Sequence, residues 1–340
     1  MPTCSFVLQY PRMNLWQKIF SRADRFTTGI ILSVILGLFL PCAGTTAAVF
    51  DWITNAAIIL LFYLYGVKLS RESVIAGLLN WRLQLMVFFF TFIFFPVLMP
   101  LMSPLFEPLV GSALYMGLIY VACLPSTVQS SIAFTAVAGG NVPAAVCSAS
   151  VSSLLGVFLT PFLVGLLFSQ ASSSGAAVGL DTILKICYQI LIPFILGQLS
   201  QRWLRNWVSE HKSLIKWNDQ GTIWLVIYTS FSNATANGYW QQLELHYLLG
   251  LILVCSIFLC ITFAATYYSS RWMGFSREDR ITIVFCGSKK SLAVGAPMML
   301  AIFGKLDNNL LLPLMVFHQV QLMACAQLAR LWHLKAQNNS

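Results

Sequence analysis

Charge is what this chain has least of. Asp, Glu, Lys and Arg make up 9% of its 340 residues, where a soluble domain carries about a quarter. An ordinary soluble fold is therefore excluded. The 58% of hydrophobic residues and the mean hydropathy of +0.77 exclude a disordered chain. Carboxylates are scarcer still, 11 against 20 Lys and Arg. The nine cysteines show no CxxC spacing and no Cys/His cluster of zinc type. All but Cys4 lie in or beside apolar runs, so most read as small core residues. P-loop, GxSxG and HExxH patterns are missing, which argues against an ATP-driven pump and an intramembrane enzyme. No basic patch with interleaved aromatics lies outside the apolar runs, so the net charge of +9 gives no reason to expect nucleic acid. Neither a resident cofactor nor a metal is expected.

What is present is a series of continuous apolar runs, each about as long as the ~20 residues that cross a bilayer as helix. Membrane β-strands would alternate instead. Ten spans are read: Thr28–Cys42, Trp52–Val67, Leu83–Leu101, Leu114–Ala138, Val142–Phe168, Val178–Leu199, Gly221–Ala236, Tyr247–Tyr268, Ile281–Gly304 and Leu310–Leu331. Leu40-Pro41-Cys42 leads into the second span and not into a small-residue cleavage site, so a removed signal peptide is not expected. Met13 is a candidate start, and Asn14–Phe26 reads as a short amphipathic surface segment. Arg12, Lys18, Arg22 and Arg25 precede the first span. Lys68, Arg71 and Arg82 separate the second from the third. Arg202, Arg205, Lys212 and Lys216 follow the sixth, Arg271, Arg277 and Arg280 the eighth, and Arg330 and Lys335 the tenth. With ten spans these groups share one side, which puts both termini in the cytoplasm of a bacterial inner (plasma) membrane. Five spans per half make the second half enter from the opposite face, the inverted-repeat layout common in secondary transporters. The expected organisation is a cytoplasmic segment 1–26, a first five-helix repeat 27–168, a second inverted repeat 169–332 and a tail 333–340. Trp52, Trp81, Tyr239 and Trp240 read as interface anchors.

Two equivalent spans depart from plain apolar helix. The fourth breaks at Pro125 into Ser126-Thr127-Val128-Gln129-Ser130-Ser131, recovers through Thr135 and turns at Gly139-Gly140-Asn141. The ninth breaks at Gly287-Ser288-Lys289-Lys290-Ser291. Lys289 is nine residues past Arg280, ~13 Å of helix rise, near the middle of a ~30 Å core. Ionisable groups at that depth mark function by default, and paired breaks in matching spans point to a midplane site. Adjacent helical residues point ~100° apart, so one of Lys289 and Lys290 could instead be structural, bonding carbonyls of the broken fourth span. No carboxylate lies at mid-depth, which favours a fixed positive charge or an anion site. Ser148, Ser150, Ser152 and Ser153 could face the fourth-span break or simply let helices approach. His318 and Gln319 lie near mid-depth in the tenth span, with Gln321 and Gln327 beyond. His318 also fits an ordinary hydrogen-bonded core histidine.

The run Leu124-Pro125-Ser126-Thr127-Val128-Gln129-Ser130-Ser131-Ile132-Ala133-Phe134-Thr135, then Gly139-Gly140-Asn141-Val142 and Ser150-Val151-Ser152-Ser153-Leu154-Leu155, resembles the fourth and fifth spans of the bile acid:sodium symporter family. Phe285-Cys286-Gly287-Ser288-Lys289-Lys290-Ser291-Leu292-Ala293 resembles the ninth-span signature of its SBF-like orphan branch. The resemblance runs from about Asp24 to Arg330. It implies an all-α polytopic membrane protein of ten transmembrane helices in two inverted repeats. It further implies a panel of the first, second, sixth and seventh spans, a core domain, and broken helices four and nine crossing at the midplane. It implies secondary transport of organic anions. In sodium-coupled members a span-nine acid, a nearby Gln and a span-four Ser-Asn pair help bind sodium. The matching positions here are Phe285, Lys289 and Ser130-Ser131, so the acid, the Gln and the Asn are missing.

The expected function is alternating-access transport of a small organic anion, with the usual sodium ligands replaced so that sodium independence is open to it. Lys289 or Lys290 would supply positive charge, with Gln129, Ser130, Ser131, Thr135, Ser148, Ser150, Ser288, Ser291, His318 and Gln319 as candidate neighbours. Pro125, Gly139, Gly140 and Gly287 would shape the breaks. Sodium or protons stand as candidate coupling ions, and lipid and the anion as the partners. The alternatives are sodium symport through other ligands, or a non-transporting regulatory protein of the same fold.

Overall fold

The computed structural model describes residues 25–68, 80–171, 180–304 and 307–337. Most of the Asn14–Phe26 segment, with Arg71 and Lys305, lies outside these residues. Among the described residues there are helices and no strands. The helices are α1 (Arg25–Phe39), α2 (Thr45–Lys68), α3 (Trp81–Leu101), α4 (Ser103–Cys123), α5 (Gln129–Val137) and α6 (Val142–Ala171). Then come α7 (Leu180–Glu210), α8 (Lys212–Ala236), the short α9 (Tyr239–Gln242), α10 (Leu245–Trp272), α11 (Arg277–Gly287), α12 (Leu292–Phe303) and α13 (Asn308–Gln337). Six of them, α2, α3, α4, α6, α10 and α13, are long and apolar enough to cross a bilayer. In lipid the backbone must bond to itself, which is why apolar runs of this length fold as helix.

The helices pack in two groups. In the first, α1 and α2 lie against α8, and α2 against α7. In the second, α4 packs on α6, α10 and α13, α11 on α3, α6 and α10, and α5 on α6, α11 and α13. The groups meet through α12, which touches α2, α7 and α8 on one side and α13 on the other, and through α6 packed on α7. One continuous core runs from Phe106 and Leu118 of α4 through Phe258 of α10 to Met298 and Phe317.

Small residues set the closest crossing. Gly66 of α2 and Gly197 of α7 stand against each other's helix, so a Cβ on Gly66 would strike the Phe194 carbonyl and one on Gly197 the Tyr63 carbonyl. Van der Waals contact of this kind drives helix association where lipid is as apolar as leucine. Gly197→Ala is therefore expected to destabilise by about 1–3 kcal/mol through overpacking. Gly221 of α8 has nothing within 4 Å of its Cβ position, so Gly221→Ala is expected to gain up to about 1 kcal/mol of helix propensity. Thermal unfolding of the two variants should shift in opposite directions; a parallel shift would contradict this crossing.

One detail differs from the sequence expectation. Residues 102–113 read there as a connection, but Ser103–Val110 is already helical, with Pro104 in its first turn and Phe106 and Val110 buried. Gly111, at φ 76°, then redirects the chain into the deep part of α4. Trp52 and Trp81 are exposed. Tyr239 and Trp240 are half-buried: the Tyr239 hydroxyl donates to Asn309 Oδ1 at 2.8 Å, and Trp240 Nε1 to Thr235 Oγ1 at 3.0 Å.

Candidate functional site

The two helix breaks, residues 124–128 and 288–291, lie against each other. Breaking a helix inside a membrane protein leaves carbonyls without donors, and each must find one. At the end of α4 five carbonyls, of Val121 to Pro125, find donors. Pro125 has no N–H to offer Val121, whose carbonyl accepts from Leu124 N instead, at 3.2 Å. The Cys123 carbonyl accepts from Thr160 Oγ1 at 2.8 Å, and the Pro125 carbonyl from Ser291 N at 2.9 Å. The carbonyls of Ala122 and Leu124 both accept from the Lys290 ammonium, each at 2.8 Å. The ninth-span break is repaired from the other side. Ser126 Oγ donates to the Cys286 carbonyl at 2.6 Å and Ser131 Oγ to that of Phe285 at 3.0 Å. Ser126 N donates to Ser152 Oγ of α6 at 3.0 Å. Ser288 Oγ closes on the Val284 carbonyl at 2.5 Å, and Ser291 Oγ caps α12 by accepting from Val294 N at 3.2 Å.

Lys289 and Lys290 are both fully buried, yet their ammonium groups are served very differently. Lys290 Nζ has an acceptor for each of its three N–H bonds, the third being the Thr91 carbonyl at 2.7 Å. It also lies 4.2 Å from the centre of the Phe95 ring. Lys289 Nζ has one acceptor, Ser130 Oγ at 2.9 Å, and sits 4.6 Å from the centre of the Phe134 ring. Ser130 in turn donates to Thr127 Oγ1 at 2.9 Å, which pairs with Ser131 Oγ at 3.0 Å. Among the described residues no carboxylate pairs with either lysine.

The remaining candidates spread around this centre. Thr135, Ser148 and Ser153 are hydroxyls in buried positions without a hydrogen-bond partner. Ser148 is one helical turn from Ser152, on the side of α6 that faces the break. Ser150 is half-buried, and Gln129 opens α5 exposed to the exterior. Gly139, at φ 73°, ends α5: Gly140 N reaches back to the Thr135 carbonyl at 2.8 Å. Asn141 then ties that turn to α11, through Nδ2 to Asp279 Oδ1 at 2.8 Å. Pro125 rests on Gly156, and Gly287 closes α11 beside Phe90.

On α13, His318 is buried and Gln319 half-buried. The residue that reaches the break is Gln321, which stands outside the candidate set read from the sequence. Its Oε1 accepts from Lys290 N at 2.9 Å, and its Nε2 donates to the Lys290 carbonyl at 2.7 Å and lies 2.9 Å from His318 Nδ1. The signal available in the sequence was the three-residue spacing from His318, which puts both on one helix face. Thr91 was also missed, because only its backbone takes part. No group of three His, Cys, Asp or Glu able to hold a metal occurs among the described residues.

A model of the SBF-like CPA transporter family matches residues 24–334. The chain belongs to the SBF-like CPA transporter family. Its class is transmembrane transport, and it is an integral membrane protein. Similar proteins cover nearly the whole of it. "Uncharacterized protein PA2026" of Pseudomonas aeruginosa is 53% identical over 308 residues, 90% of this chain and 92% of the relative. "Putative symporter YfeH" of Escherichia coli is 46% identical, over 92% of this chain and 94% of the relative. "Sodium/bile acid cotransporter 7-B" of Xenopus laevis is 28% identical, over 92% and 91%. The resemblance read from the two broken spans thus extends over the whole SBF-like transporter fold of this chain.

Proposed function

We propose that the chain is a secondary transporter of a small organic anion, working by alternating access without sodium at the usual family sites. The observation that carries this reading is the unequal service of the two lysines. Lys290 is saturated by the protein, whereas Lys289 has two N–H bonds left for a ligand, beside Ser130, Thr127 and the Phe134 ring. An unpaired buried ammonium is costly, and an anionic group that supplied the missing acceptors would relieve that cost. Absence of a sodium role is supported by Phe285, the position of the family acid. Its ring is fully buried, 6.0 Å from Phe134 and 5.4 Å from Trp332 by ring centres.

The packing supports ten spans in two inverted sets of five, with α4–α5 and α11–α12 as the broken members. The contact of α4 with α10 has its counterpart in α11 with α3, and that of α5 with α6 in α12 with α13. Two packed groups that meet along α12 and along the α6–α7 contact are compatible with a rocking mechanism. The placement of Lys and Arg supports an inner-membrane protein with both termini in the cytoplasm.

The test is a panel of small carboxylates, sulfonates and phosphates offered to purified protein in sodium and in potassium buffer. At least one anion is expected to raise the unfolding temperature equally in both salts, since ligands of the folded state stabilise it by RT ln(1 + [L]/Kd). A response confined to sodium buffer would favour sodium symport through other ligands.

A further inference from the structure

Three main-chain oxygens, of Thr91, Ala122 and Leu124, converge on Lys290 Nζ at 2.7, 2.8 and 2.8 Å. Their availability is dictated by sequence. Phe90–Phe94 form a π-turn in α3, and the Phe95 N–H reaches back five residues to the Phe90 carbonyl. The next residue, Pro96, has no N–H. Thr91 O is therefore left with neither an i+4 nor an i+5 donor. Ala122 and Leu124 stand at the C-terminal end of α4, where carbonyls are unpaired and the helix dipole is negative. The Phe95 face closes another side, and Gln321 holds the Lys290 backbone at both its N–H and its carbonyl. Convergent backbone carbonyls are also what potassium-selective filters offer a dehydrated ion.

We infer that the Thr91, Ala122 and Leu124 carbonyls form a monovalent-cation site whose resident is the chain's own Lys290 ammonium. The site takes an ion of ammonium or potassium size. In the native protein the tethered charge keeps dissolved ions out. Truncation of the lysine converts the protein into one that binds a small cation there.

The experiment compares wild type, Lys290→Ala and Lys290→Met by thermal unfolding in potassium chloride, propylammonium chloride and choline chloride at matched ionic strength. Propylammonium replaces the atoms that the alanine substitution removes; choline is too bulky for the nest. The alanine variant is expected to gain roughly 3 °C, saturably, from propylammonium or potassium over choline. Wild type and the methionine variant, whose side chain fills the space, are expected to gain nothing. No gain in the alanine variant, or an equal gain in all three proteins, would overturn the inference. If the alanine variant is recovered folded from propylammonium but not from choline, that also supports the site; recovery from neither counts against it. Because the probes are cations and the variants leave Lys289 in place, failure here is distinguishable from failure of the anion reading.

Discussion

Lys289→Ala is expected to give a folded protein whose anion uptake has fallen by about 100-fold. The side chain makes one hydrogen bond, to Ser130 Oγ, and Ser130 keeps its own bond to Thr127 when the lysine is gone. Little of the fold depends on the ammonium, and its removal relieves a buried charge of its desolvation cost. The ligand loses much more. A charge-assisted contact in a dry site is worth roughly 2–5 kcal/mol when one partner is truncated, and each 1.4 kcal/mol is about tenfold in affinity. The measurement pairs uptake into proteoliposomes with thermal unfolding of the same preparation. An unfolding temperature near that of wild type with uptake lost is the expected pair. Uptake within twofold of wild type in a folded variant would remove Lys289 from the site.

The neighbouring substitution is expected to do the reverse, damaging the fold first. Lys290→Met keeps the length of the side chain and deletes the ammonium, so the carbonyls of Thr91, Ala122 and Leu124 lose their common donor. Each orphaned buried acceptor costs about 1–3 kcal/mol. Part of that is offset because a buried charge no longer has to be desolvated. A net destabilisation of about 3–5 kcal/mol remains, among the largest single-residue effects to expect. It should appear as a much lower unfolding temperature in matched scans, with or without an anion present. A methionine variant as stable as wild type would mean that the three carbonyls have other donors.

These opposite outcomes for adjacent residues mark where sequence reasoning stops. The membrane class follows from the apolar runs, because their length as helix matches the hydrocarbon thickness of a bilayer. The two breaks followed from Pro125 and from Gly287-Ser288 interrupting long apolar stretches. Residue type and depth also placed two lysines near the midplane, but could not divide their roles. That division depends on which way a four-residue break points each side chain, and partners from α3, α4, α5 and α13 decide it. Thr91 contributes through a main-chain oxygen, and backbone acceptors leave no mark in composition. Its trace in the sequence is Pro96, which withholds a donor five residues later. Gln321 is legible as a polar residue in an apolar helix, one turn beyond the ionisable His318. Ser103–Val110 falls in the gap between the third and fourth spans read from the sequence, yet it is helical, with Pro104 in the first turn where proline is tolerated and Pro108 inside the helix.

The central claim is that this membrane protein carries an organic anion past Lys289 without needing sodium. Counterflow tests it most directly: proteoliposomes loaded with an unlabelled anion that stabilises the protein, diluted into sodium-free buffer containing the same anion labelled. The account predicts transient, saturable accumulation of label with wild type and none with Lys289→Ala. Binding without any counterflow, or counterflow that appears only when sodium is added, would contradict it.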